Sequence, residues 1–127
     1  MNSDIYSWLT QVKTTVPSIE SIWLIGSRAN GNASETSDWD FIAFGTGEAL
    51  EQIRNASELH RPDADFLVVV NGEDFENAWG ERDKTGALSS WEWKRVSDMR
   101  AEYTEAKWVE TEEEAKVVLR RRHAIRV

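Results

Sequence analysis

Apolar positions in the first half of the chain alternate between two spacings, and each change of spacing predicts an element. Ile5, Trp8, Leu9, Val12 and Val16 recur at helical spacing, and Ser3 stands where a helix cap belongs. Pro17 ends that helix, because it has no amide proton and crowds the preceding turn. Ser21 to Ile25 is an apolar run of strand length, broken by Gly26. Ala29 to Ala33 predicts a short helical turn. Asp38 to Phe44 reads as a second strand, with Gly45-Thr46-Gly47 as its exit turn. Ala49, Leu50 and Ile53 predict a short second helix. Ala64 to Val70 reads as a third strand, closed by Asn71-Gly72.

The second half is more polar. Gly72 to Ser90, punctuated by Gly80 and Gly86, predicts a long loop. Trp91 to Val96 and Glu102 to Val109 predict a hairpin turning at Ser97-Asp98-Met99-Arg100. The last segment predicts a helix. Thr111 and Glu114 have capping-box spacing, Glu112 and Glu113 put negative charge at its start, and Arg120, Arg121, Arg122 and His123 put positive charge at its end. The order of elements predicts an α+β fold: a small mixed sheet flanked by helices, with a C-terminal β-hairpin and helix. A site built on the strand ends would lie at a sheet edge.

Length and charge narrow the function. A chain of 127 residues predicts a single domain, with a core at about 1–70 and a C-terminal extension at about 71–127. The absence of cysteine excludes disulfides and thiolate metal sites. No apolar run is long enough for a membrane helix, and the start of the chain, with Asp4, lacks a signal-peptide core, so the expected location is the cytoplasm. A net charge of −8 argues against a nucleic-acid partner, which favours a basic face, and towards a small-molecule or protein acceptor.

The chemistry-bearing residues sit at the strand ends. Asp38 and Asp40 are two apart, so on a strand both carboxylates share a face while Trp39 points into the core. Asp65 heads the next apolar run and on a paired strand would lie roughly 5 Å away. Three carboxylates without nearby histidine or cysteine suit Mg²⁺ or Mn²⁺. Two such ions about 3.5–4 Å apart can hold the attacking and leaving oxygens of an in-line phosphoryl displacement. Asp38 and Asp40 would bridge the ions, and Asp65 is the best placed general base. Gly26 allows close backbone approach to an anion, the following amides and the Ser27 hydroxyl can donate to phosphate oxygens, and Arg28 could contact a phosphate.

The sequence from Ile22 to Phe44, an apolar strand, Gly26-Ser27, a short spacer and Asp38-Trp39-Asp40, with Asp65 on a later strand, resembles the signature of the DNA polymerase β-like nucleotidyltransferase superfamily. Its small single-domain bacterial members are the most similar. The resemblance covers roughly residues 1–70. It implies that Gly26 and Ser27 bind a nucleoside triphosphate and that Asp38, Asp40 and Asp65 hold Mg²⁺. The implied reaction transfers a nucleoside monophosphate, from ATP or another triphosphate, to a hydroxyl acceptor with release of pyrophosphate. Larger members carry a further helical domain that shapes the acceptor site, so a partner protein or a homo-oligomer could complete it here. Alternatives are an antitoxin-type enzyme that adenylylates a partner toxin, and a non-catalytic nucleotide-binding module.

Other residues have competing readings. Asp63 shares a face with Asp65 and is a supporting candidate. Trp8, Trp23 and Trp39 fit core positions. Trp91 and Trp93 either pack the hairpin or stack on a base. Trp79, in the expected loop, is the tryptophan expected to be most exposed. Lys84, Lys94 and Arg95 could neutralise a triphosphate, and His60 is expected at the surface.

Overall fold

The computed structural model describes residues 2–80 and 83–127, and of residues 107 and 108 the backbone only. Helix α1 (Ser3–Thr15) buries Ile5, Trp8, Leu9 and Val12 along one stripe. Its cap is Asn2, one residue before the expected Ser3: the Asn2 Oδ1 accepts the Ile5 amide at 3.0 Å. Strands β1 (Ser21–Ile25), β2 (Trp39–Phe44) and β3 (Ala64–Val69) fall where the apolar runs predict. Helix α2 (Gly47–Asn55) links β2 to β3 and is capped by Thr46, whose Oγ1 accepts the Ala49 amide at 3.1 Å. Residues 27–31 form hydrogen-bonded turns in place of the expected helical turn.

The segment expected to be a loop is partly strand. Strands β4 (Asp74–Asn77) and β5 (Thr85–Ala87) pair antiparallel, followed by a 3₁₀ turn at Leu88–Trp91. Residues 81 and 82 of that segment lie outside the described residues. The two strands are short and polar, and Phe75 is the large apolar anchor that ties them down, packing over Gly86. Strand β6 is reduced to Lys94–Arg95, and β7 is Arg100–Glu110.

The expected C-terminal helix is a strand, β8 (Ala115–Arg126), paired with β7 along its length. The local signal was real but belongs to a different element. Thr111 Oγ1 accepts the Glu114 amide at 3.2 Å, as a helix cap would, and the Thr111 amide donates back to the Glu114 carbonyl at 2.9 Å. That reciprocal pair closes a tight turn between β7 and β8. Tertiary pairing then overrides propensity: Ala101 and Ala124 face each other and are both fully buried.

All strands join one sheet in the order β5-β4-β3-β2-β1-β8-β7-β6. β2 and β3 run parallel, joined through α2, and the other pairings are antiparallel. Alternation divides the core in two. Ile22, Leu24, Phe41, Ala43, Phe66 and Val68 meet the helices on one face. Trp23, Ile25, Ile42, Leu67 and Val69 face the other way and meet Phe75, Leu88, Ala101, Tyr103 and Ala124. Among the described residues no helix is long and apolar enough to cross a membrane.

Trp79 is not an exposed loop residue. It stacks on Phe66 and His60, and its Nε1 donates to the Arg61 and Ala64 carbonyls at 3.0 and 2.9 Å. His60 is likewise held, with its ring against Trp79 and its Nε2 2.8 Å from the Ile53 carbonyl. Both positions look polar in sequence because their apolar partners are remote in the chain.

Candidate active site

The parallel β2–β3 register places Asp40 directly beside Asp65. Both alternate with residues of the helix-facing core, so both carboxylates lie on the opposite face of the sheet. The site is therefore near the strand ends, as expected from the sequence, but on central strands of the sheet and not on an edge strand. Asp38 is exposed, ahead of the first residue of β2. It remains close enough for its charge to act on Asp40. Among the described residues, no group of three or more His, Cys, Asp or Glu side chains is gathered tightly enough to hold a metal ion. Asp40 and Asp65 are the pair that the fold brings together.

Their electrostatics are strained. Burial, then the charge and hydrogen bond of Asp65, and then the charge of Asp38 push the Asp40 carboxyl up to about 6. Lys84 works in the opposite sense. Its Nζ stands 3.1 Å from Asp65 Oδ2, brought there from the residue that precedes β5. An Asp40 carboxyl raised in this way sits where positive charge is short, and one lysine supplies part of it. That donor chemistry, all hard oxygen, fits a hard divalent cation.

Gly26 adjoins this pair. Its φ is +73°, in the left-handed region that glycine adopts without penalty. A Cβ at that position would run into the Asp40 carboxylate. The turn it starts is closed by the Ala29 amide on the Gly26 carbonyl and by the Asn30 and Asn32 amides on the Ser27 carbonyl, each 3.2 Å. Among the described residues, the Ser27 hydroxyl and the Ser27 and Arg28 amides have no hydrogen-bond partner, which leaves donors for an incoming anion.

Arg28 does not join them. Its guanidinium donates to the Ser37 and Glu35 carbonyls and lies 4.0 Å from the centre of the Trp39 ring. Trp39 belongs to the helix-facing core, so Arg28 is turned to the face opposite Asp40 and holds the 35–37 loop. Asp63 is also turned aside. Arg61 Nε and Nη2 grip its carboxylate at 2.8 and 2.9 Å and hold it below the ordinary carboxylate range.

Two residues not singled out from the sequence fix the glycine turn. The Tyr103 hydroxyl of β7 accepts the Gly26 amide at 2.9 Å. Asn30 bridges to β8: its Oδ1 accepts the His123 amide at 2.8 Å, and its Nδ2 donates to the His123 and Gly26 carbonyls at 3.1 and 2.7 Å. Tyr103 alternates with Ala101 on a strand, which marks it as inward-facing, but nothing local says which turn it meets. Burial raises the Tyr103 phenol above its ordinary value, so it stays protonated. Tyr103→Phe leaves the Gly26 amide without its acceptor. It is expected to cost about 1–3 kcal/mol of stability in denaturant titrations.

A cleft of about 490 Å³ opens over the carboxylates. Gly26, Asp40, Asp65 and Lys84 line its floor, and Ile25, Leu67, Trp91 and Tyr103 give it an apolar wall. The volume and the mix of apolar wall with a few convergent polar groups are those of a small-ligand site. Of the two tryptophans considered for base stacking, Trp91 reaches the cleft, while Trp93 packs against Trp23 and Phe44.

Compared with known families, the chain matches the model of a nucleotidyltransferase domain over residues 6–122. No curated protein and no solved structure matches it.

Proposed function

Since the chain belongs to the nucleotidyltransferase domain family, we propose that the Asp40–Asp65 cleft moves a nucleoside monophosphate from a nucleoside triphosphate to a hydroxyl acceptor. The single observation that carries this reading is the in-register acid pair abutting a left-handed Gly26, with unpaired donors on the same turn. The acceptor oxygen attacks the α-phosphorus, the bond to the bridging oxygen of the β-phosphate breaks, and pyrophosphate leaves. Asp65 takes the acceptor proton. The Ser27 hydroxyl and the free amides of Ser27 and Arg28 receive phosphate oxygens, Lys84 offsets their charge, and Trp91 offers a face to the base.

Asp40 and Asp65, joined by a reoriented Asp38, are the residues that would hold Mg²⁺. Bound there, Mg²⁺ supplies charge neutralisation for the triphosphate and acidifies the acceptor hydroxyl. The raised Asp40 pKa supports this assignment, because a cation would offset the burial and the Asp65 charge that raise it.

The test is incubation with α-labelled ATP, CTP, GTP and UTP, Mg²⁺ and panels of hydroxyl acceptors, with pyrophosphate release as a second readout. Label transferred by wild type and lost in Asp65→Asn supports the reading. Mg²⁺-dependent triphosphate binding without any release of pyrophosphate would instead mark a nucleotide-sensing module. A mass gain on a copurifying protein would identify a protein acceptor.

A further inference from the structure

Strands β7 and β8 outrun the sheet they belong to. Their mutual register extends from Arg100↔Ile125 to Glu110↔Ala115. β1 meets β8 only at Trp23↔Arg126 and Leu24↔Ile125, and β6 meets β7 only at Lys94↔Glu102 and Arg95↔Ala101. Beyond those pairs, and beyond the contacts that Tyr103, Thr104, Arg122 and His123 make with Gly26, Glu92, Asn32 and Asn30, the two strands project as a two-stranded ribbon. Val117, Val118 and Leu119 on it are 49 %, 38 % and 68 % exposed. A two-stranded ribbon is marginal alone, and an apolar edge of this length invites pairing.

The free edge of β8 has a defined chemistry. The His123 amide and carbonyl point away from β7, towards Asn30. By the two-residue period of a strand, the amides and carbonyls of Arg121, Leu119, Val117 and Ala115 point the same way. Charge along this segment is sign-inverted about Val117: Glu112, Glu113 and Glu114 precede it, and Arg120, Arg121 and Arg122 follow at matching distances.

We infer that the chain forms a two-fold dimer in which this β8 edge pairs antiparallel with the same edge of a second copy, centred on Val117. Val117 then exchanges both of its outward hydrogen bonds with its own counterpart, and Ala115 meets Leu119. The turn glutamates Glu113 and Glu114 stand at Arg121 and Arg120 of the second copy. Moving the axis to Val118 would set Lys116 against Arg120, so charge selects one register. The interface is isologous and closed, which removes the exposed edge without starting a filament. Leu119 and Ala106 also line the cleft over Asp40, so the second copy braces one wall of that cleft. The inference rests on the ribbon alone and stands or falls independently of nucleotidyl transfer.

Sedimentation velocity on the full chain over a dilution series tests it. Wild type is expected to sediment as twice the 14.6 kDa protomer. Glu113→Arg and Arg121→Glu are each expected to shift the protein to monomer, and an equimolar mixture of the two to restore the dimer, since only the mixed pair has opposite charges at both contacts. That restoration also shows that both variants are folded. A wild-type monomer at every concentration, including one that recruits some other partner through the ribbon, would overturn the inference. So would a dimer that both charge variants leave intact, or variants whose mixture stays monomeric.

Discussion

Asp40→Asn is expected to abolish nucleotidyl transfer while making the metal-free protein more stable above pH 6. The two effects share one cause. In the folded protein the Asp40 carboxyl is raised from 3.8 to about 6, first by burial and then by Asp65. The native state therefore holds this proton more tightly than the unfolded chain does. The associated stability is fully present below about pH 4 and is lost as pH rises through about 6. Above that, ionised Asp40 is a net burden on the fold. Allowing for screening, since the group is only half-buried, the burden is about 1–2 kcal/mol. Asparagine keeps the shape and removes the charge. Thermal melts in chelator at pH 7.5 should show a gain of about 3–8 °C, and the gain should vanish near pH 4. Activity should fall on the order of a thousandfold, because the variant no longer anchors the charge that stabilises the reacting phosphates. Added Mg²⁺ should raise the melting temperature of wild type but not of the variant. A variant less stable than wild type at pH 7.5 would refute the electrostatic account, whatever its activity.

The second large effect is expected at Gly26, with Gly31 as its internal control. Both glycines have positive φ, +73° and +76°. An alanine at either pays the left-handed penalty of roughly 1–2 kcal/mol. At Gly31 a Cβ would meet nothing within 4 Å, so Gly31→Ala should lose about that much stability and keep its activity. At Gly26 the added methyl meets the Asp40 carboxylate. Either the carboxylate or the turn must move, and each belongs to the proposed machinery. Gly26→Ala should therefore lose about 3 kcal/mol and most of its activity. Denaturant titrations of the two variants, with turnover measured in parallel, isolate the contact between the turn and the acid. Equal losses of stability and activity at both positions would show that the contact has no importance of its own.

The pieces legible in the sequence are those whose signals are local. Strands β1 to β3 are continuous apolar runs because both faces of each are covered, and α1 shows its stripe because one side meets those strands. Asp40 and Asp65 could be assigned to strand starts, and the parallel pairing then set them side by side. The short β4 and β5 were not legible: Phe75 is the one large apolar residue in either, too little to make a period. The C-terminal segment misled because a threonine accepting the amide three residues on is common to helix starts and tight turns. The glutamates and arginines then read as charges matched to a helix dipole, whereas Arg120 lies across from Glu105 and ion-pairs with it at 2.7 Å. Arg28 was legible as a cation near the turn, but its direction depends on Trp39 and on the 35–37 carbonyls.

The Asn30 bridge has a consequence for how the protein is made. The acidic pair is complete once β2 and β3 have left the ribosome. The turn beside it takes its partners from Tyr103 and His123, near the far end of the chain. Contacts of such long sequence separation form late. In nascent chains the acid pair is therefore expected to precede a secured turn, and the turn proposed to receive phosphate is expected to be finished only as the last strand closes against β1.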